Sequence, residues 1–145
     1  MTRIESSILV SKSLEETFSF LDAAENHAKF IPNIVEFNKT SSGAFGQVGA
    51  TALGRLGYFG LRINVPYEII EHEQNRKLAM KGRMGPILFK DGYVLSPDEN
   101  GTQIQFWLEL MMTGLARIMS PFAGLIGKVH AMETLANLKK ALEKG

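Results

Sequence analysis

Few residues in this 145-residue chain are of types that do chemistry, and three of them stand on segments that read as strands. Tyr67 alternates in phase with Val65 and Ile69, while Asp91 and Tyr93 share a phase with Phe89 and Leu95. If those phases face inward, Asp91 is a carboxyl held away from water. Burial disfavours the charged form, so such a group has a raised pKa and can act as general acid or base. Tyr67 and Tyr93 would then orient a carbonyl. In the opposite register Asp91 is a surface or turn residue beside Gly92, because a slip of one residue exchanges the two faces of a strand. Arg83 either pairs with Asp91, meets an acidic ligand head, or stands in solvent.

Other chemistries find no footing. His27, His72 and His130 are too scattered for a motif such as H-E-x-x-H, so no metal is expected, and no cofactor either. His72, next to Glu71 at a strand end, reads as solvated, and His130 reads as exposed. There is no G-x-S-x-G elbow. The chain has no cysteine, which removes disulfides, thiolate metal sites and cysteine nucleophiles. Glu15 and Glu16 favour a helix dipole, but adjacent helix residues do not face each other. The stretch GAFGQVGATALGRLGYFG is rich in glycine, yet its first three glycines run G-x-x-G-x-x-G, not G-x-G-x-x-G. Gly127-Lys128 is followed by Val129, so the phosphate loop is absent too. These glycines read as places where strands turn, bend or are closely approached.

Composition sets the remaining bounds. A net charge of +1 gives no reason to expect nucleic acid as partner. The length suits one domain, taken as 1–145. The N-terminal MTRIESSILVSKS lacks the pattern of a secretion signal. The most apolar segment, Leu108 to Val129, is broken by Thr113, Arg117, Ser120, Pro121 and Lys128, so it does not read as a membrane span. A soluble, cytoplasmic protein is expected.

The positioning elements follow from periodicity. Ile4 to Val10 reads as a strand, and Ser13-Leu14-Glu15-Glu16 matches a capping box ahead of Leu14, Phe18 and Leu21, one face of a short helix. Asp22-Ala23-Ala24-Glu25 repeats that signature and predicts a second short helix that ends before Pro32. From Ile34 to Thr113 there is no helical period. Leu61, Ile63, Val65, Tyr67 and Ile69 alternate with polar residues, as do Ile104, Phe106, Leu108, Leu110 and Met112. This is the pattern of an antiparallel sheet with one dry face. Turns are expected at Ser42-Gly43, Asn75-Arg76, Gly85-Pro86 and Asp98–Gly101. Pro66 marks its strand as an edge there, or as bulged. From Ala116 or Phe122 to Lys144 the chain reads as helix, with a kink near Pro121. It carries two apolar stripes: Ile118, Phe122, Leu125, Val129, Met132 and Ala136 form one, and Ala131, Leu135, Leu138 and Leu142 the other.

Strand, two short helices, six strands and a long helix resemble the START-like (SRPBCC, helix-grip) superfamily, within it the polyketide cyclase/dehydrase and lipid-transport branch. The stretches that carry the likeness are IESSILVSKSLEETFSFL, NHAKFIPNIVEF, GQVGAT, LSPDENGTQIQF and LANLKKALEKG. The resemblance implies an α+β helix-grip fold, a strongly curved antiparallel sheet of about seven strands around the C-terminal helix. It also implies an apolar cavity between the two. Cavity residues are then expected to be Ile63, Val65, Tyr67, Ile69, Met80, Met84, Phe89, Asp91, Tyr93, Phe106, Leu108, Leu110, Phe122, Ile126 and Val129. Several of the seven methionines would suit an adaptable pocket, though they fill ordinary cores as well. The expected function is binding or transport of a small hydrophobic, lipid-like or polyketide-like ligand. The alternatives are a cyclase, aromatase or dehydratase using Asp91, Tyr93 and Tyr67, and a dimerisation or assembly module. Leu115 to Ile126 would be a lid that touches a membrane transiently, or a segment packed under neighbouring helices or against a second copy in a homodimer.

Overall fold

A computed structural model describes residues 2–144; Met1 and Gly145, the ends of the expected domain, lie outside the described residues. Strand β1 (Thr2–Val10) leads through the Ser13 cap into helix α1 (Leu14–Leu21) and a 3-10 helix (Ala24–Lys29). Six strands follow: β2 (Ile34–Lys39), β3 (Thr51–Tyr58), β4 (Leu61–Glu73), β5 (Lys77–Met84), β6 (Ile87–Asp98) and β7 (Gly101–Met112). A second 3-10 helix (Gly114–Phe122) runs into helix α2 (Ala123–Lys144). The seven strands form one antiparallel, curved sheet in the order β1-β7-β6-β5-β4-β3-β2. The expected helix-grip architecture is the one observed.

Local chemistry explains the elements. Ser13 accepts from the Glu16 amide at 3.1 Å and its hydroxyl donates to the Glu16 carboxylate at 3.1 Å, so the capping box is closed by the side chain rather than by the Ser13 amide. The repeat of that signature at Asp22 does not cap anything. Asp22 ends α1, the next helix starts at Ala24 with no side-chain cap, and the Asp22 carboxylate lies 2.9 Å from His72 Nε2. A partner fifty residues away has taken the group that would have capped.

β4 changes neighbours along its length: it pairs with β3 from Leu61 to Glu68, and with β5 only from Tyr67 onward. Pro66, which has no amide to give, stands where β4 leaves β5. A second irregularity shifts the register between Ile69 and Glu71.

The two stripes of the C-terminal segment have opposite fates. Ala123, Gly127, Ala131, Leu135, Leu138 and Leu142 are buried, and α2 rests with this face on β1 and β7. Ile118, Phe122, Leu125, Val129 and Met132 are exposed. Small residues let the helix sit close to the sheet, and that turns the bulky stripe outward. The expected kink at Pro121 is a change of helix type, from 3-10 to α, at Phe122–Ala123.

Candidate ligand-binding site

The curved sheet and α2 do not fill the space between them. A cavity of about 210 Å³ remains. Its sheet wall is built by inward members of adjacent strands: Val65 and Tyr67, Met80 and Met84, Phe89, Asp91 and Tyr93, and Phe106, Leu108 and Leu110. Its helix wall is Ile126, Gly127, His130 and Thr134. Met84, Ile87 and Met112 stand in register across β5, β6 and β7. With Met119 of the second 3-10 helix they ring the end where the strands stop. A larger trough of about 650 Å³ on the other face of the sheet is open and edged by outward charges such as Lys81, Glu68 and Glu109.

Asp91 faces inward, flanked by Met80 on β5 and Leu108 on β7. It is 7% exposed, and its Oδ1 has no hydrogen-bond partner among the described residues. Burial raises its pKa to about 7. Arg83 does not answer it, since that guanidinium is exposed and donates to the Gly85 carbonyl at 3.1 Å. Tyr67 and Tyr93 are buried, and both phenols are pushed up first by burial and then by the Asp91 charge. Aromatic neighbours hold them: Tyr67 meets Phe37 and Phe89 at 5.1 and 5.6 Å, and Tyr93 meets Phe106 at 5.1 Å. Burial lowers the pKa of His130, whose ring lies 6.5 Å from that of Phe106. The result is a mostly apolar chamber with one carboxyl whose pKa is raised to about 7 by burial. Protonated, that carboxyl donates a hydrogen bond; ionised, it accepts one.

The sequence expectation and the wall overlap without coinciding. Val65, Tyr67, Met80, Met84, Phe89, Asp91, Tyr93, Phe106, Leu108, Leu110 and Ile126 line the cavity. Ile69 is buried and Ile63 half-buried, but neither reaches the wall. Phe122 and Val129 stand outside, 54% and 48% exposed, because the small-residue face of α2 has taken the position next to the sheet. His130, expected in solvent, is half-buried and lines the cavity. The signal was the fourfold spacing Ile126, His130, Thr134 beside the small-residue row. His72, also expected in solvent, is tied to Asp22 and packs edge-on against Phe18 at 5.4 Å. His27 is fully buried, with Nε2 2.8 Å from the Leu21 carbonyl. Among the described residues, no three His, Asp or Glu side chains gather to hold a metal ion. No helix among them is long and apolar enough to cross a membrane.

Known proteins of this shape have been solved. A protein of Thermus thermophilus superposes with a TM-score of 0.81 at 10% identity, over 99% of this chain and 98% of its own. The ZhuI aromatase/cyclase of Streptomyces sp. R1128 does so with a TM-score of 0.80 at 10% identity, over 99% and 94%. A conserved protein of Geobacillus kaustophilus reaches 0.73 at 17% identity, over 99% and 96%. At such identities the likeness is one of fold. No curated protein sequence matches the chain. The family model for polyketide cyclase/dehydrase and lipid transport matches residues 1–143. With a match over nearly its whole length, and with a cavity between sheet and helix, the chain belongs to the polyketide cyclase/dehydrase and lipid-transport family.

Proposed function

We propose that this protein binds and carries a small, largely apolar molecule whose one hydrogen-bonding group meets Asp91. The observation that carries the reading is the unpartnered Oδ1 of Asp91 on the wall of an apolar cavity. An unsatisfied buried carboxyl costs folding free energy, and a ligand hydroxyl or carbonyl would satisfy it. The apolar remainder supplies affinity, at about 25 cal/mol per Å² of surface removed from water. The chamber of about 210 Å³ is below the roughly 300–1,000 Å³ of drug-sized pockets, so a long ligand would need its end to open.

A second reading, a cyclase, aromatase or dehydratase acting on a polyketide-like substrate, is favoured by a separate observation. More than one polar group reaches this wall, for Tyr67, Tyr93 and His130 share it with Asp91. A carboxyl with a pKa of about 7 can take a proton and return it near neutrality.

Native mass spectrometry of the purified protein, followed by titration of an apolar fluorophore, tests the first reading. A retained small molecule, or saturable 1:1 binding displaced by hydroxylated apolar compounds, supports it; neither retention nor binding would remove it. Asp91→Asn separates the two readings. In a carrier it alters ligand affinity alone, whereas in an enzyme it lowers turnover by about 10²–10⁴-fold with affinity largely kept.

A further inference from the structure

The second 3-10 helix, Gly114–Phe122, buries none of its nine residues. Leu115 and Ile118 are 87% and 75% exposed, and exposed apolar side chains continue with Phe122 at the end of this helix and Leu125 and Val129 on α2. The other apolar outlier, Phe59, sits fully exposed at the β3–β4 turn, with Leu61 beside it. Strand direction puts all of these at one end of the sheet: β3, β5 and β7 all finish there. It is also the end ringed by Met84, Met112 and Met119. Large apolar side chains left exposed together at one end of a fold point to an interaction site.

Charge is distributed with the same polarity. Residues 56–67, 82–89 and 110–132, which build this end, contain Arg62, Arg83, Arg117 and Lys128 and no Asp or Glu. All four basic side chains are exposed. Taking those four from the chain's 16 basic residues leaves 12, against all 15 acidic residues, elsewhere. The near-zero net charge therefore hides a positive, greasy end and a negative remainder.

We propose that this end docks on an anionic lipid surface, with the 3-10 helix and the start of α2 lying in the interface. Apolar side chains entering the head-group boundary while Lys and Arg meet anionic lipids is the chemistry of interfacial helices. A second copy of the chain fits the same surface badly. A two-fold interface sets a patch against itself and would bring Arg117 and Lys128 of one copy towards the same side chains of the other. Ile126 and Met119 belong to both the exposed surface and the cavity wall, so a docked protein would have its cavity end against the lipid phase. The proposal goes beyond the ligand reading and stands or falls without it, because vesicle binding is read with no ligand added.

The test is cosedimentation of the full chain with vesicles of phosphatidylcholine alone, and of phosphatidylcholine with phosphatidylserine. Binding to the phosphatidylserine vesicles only, declining as salt rises, is the expected result. Ile118→Asp, and the pair Arg117→Glu with Lys128→Glu, should each lower partitioning by roughly tenfold or more. Their melting temperatures should not change, since all three side chains are exposed. Failure to bind anionic vesicles overturns the proposal, as does equal, salt-independent binding to both kinds. So does a wild-type dimer in sedimentation velocity that Ile118→Asp splits, which would assign the surface to a second copy.

Discussion

Gly127 of α2 and Ile4 of β1 meet with no room for another carbon between them: a methyl group at 127 would overlap Ile4 Cδ1 and crowd Leu110 Cδ1. This contact decides how α2 is turned about its axis. It seats the small-residue face on the sheet, places Ile126, His130 and Thr134 over the cavity, and leaves the bulky stripe outside.

Filling that contact should loosen the grip. Gly127→Val is expected to lower stability by about 1–2 kcal/mol, because overpacking against Ile4 and Leu110 outweighs the few tenths that valine gains over glycine in helix propensity. Gly124→Ala, one turn earlier with nothing within 4 Å of the added carbon, should gain about 0.5–1 kcal/mol from helix propensity. Urea unfolding of the two variants checks the contrast, and equal effects would sink it.

Gly82 of β5 is as closely enclosed. A carbon added there would overlap the Phe89 ring and stand 2.8 Å from the Pro66 carbonyl oxygen, which as backbone cannot swing aside. Gly82→Ala should therefore cost about 2 kcal/mol in thermal unfolding, although Gly82 lies in the ordinary strand region and alanine suits that backbone. A neutral result would mean that β4 and β5 part further at Pro66 with ease.

Two buried groups should oppose each other in the pH dependence of stability. Asp91 has its pKa raised from 3.8 to about 7, so in that window the folded protein keeps a proton the unfolded chain has released, and stability falls as pH rises. His27 has its pKa lowered from 6.5 to about 4, first by burial, so there the unfolded chain holds a proton the folded protein refuses, and stability falls as pH drops. Each slope approaches about 1.4 kcal/mol per pH unit, and the two cancel between pH 4 and 6.5. Asp91→Asn should leave stability climbing with pH across that range, and His27→Gln should leave it declining. Denaturant midpoints at half-unit pH steps measure both slopes, with parallel curves for wild type and variants as the contrary outcome.

At the start of α1, Ser13→Ala should cost about 1 kcal/mol, because the Glu16 amide loses the hydroxyl oxygen it donates to and the Glu16 carboxylate its hydroxyl donor. Asp22→Ala tests the second, failed signature. Its loss should be felt at His72, as a change in that imidazole's chemical shifts by NMR when its 2.9 Å contact is removed, and not as loss of the 3-10 helix that follows.

Much of the architecture was legible because it is written in short-range terms. Alternation along Leu61–Ile69 and Ile104–Met112 marks strands, Asn75, Gly85-Pro86 and Asp98–Gly101 mark the turns between them, and Ser13 with Glu16 marks a helix start. Those signals need only a residue's immediate neighbours. The order of elements follows from them, and with it the family resemblance.

What the local pattern left open was direction. The same alternation that makes β6 a strand allows Asp91 to face in or out, and both stripes of the C-terminal helix are apolar enough to be its core side. Tertiary packing settled each choice. Neighbours Met80 and Leu108 enclose Asp91, and the absence of a side chain at Gly127 lets α2 approach with Ala131 and Leu135 rather than Val129 and Met132. Periodicity states which side chains point together; only the fit of volumes between sheet and helix states which group goes inside and how much space is left. The cavity is that remainder, and a remainder is a property of the whole packed chain rather than of any segment in it.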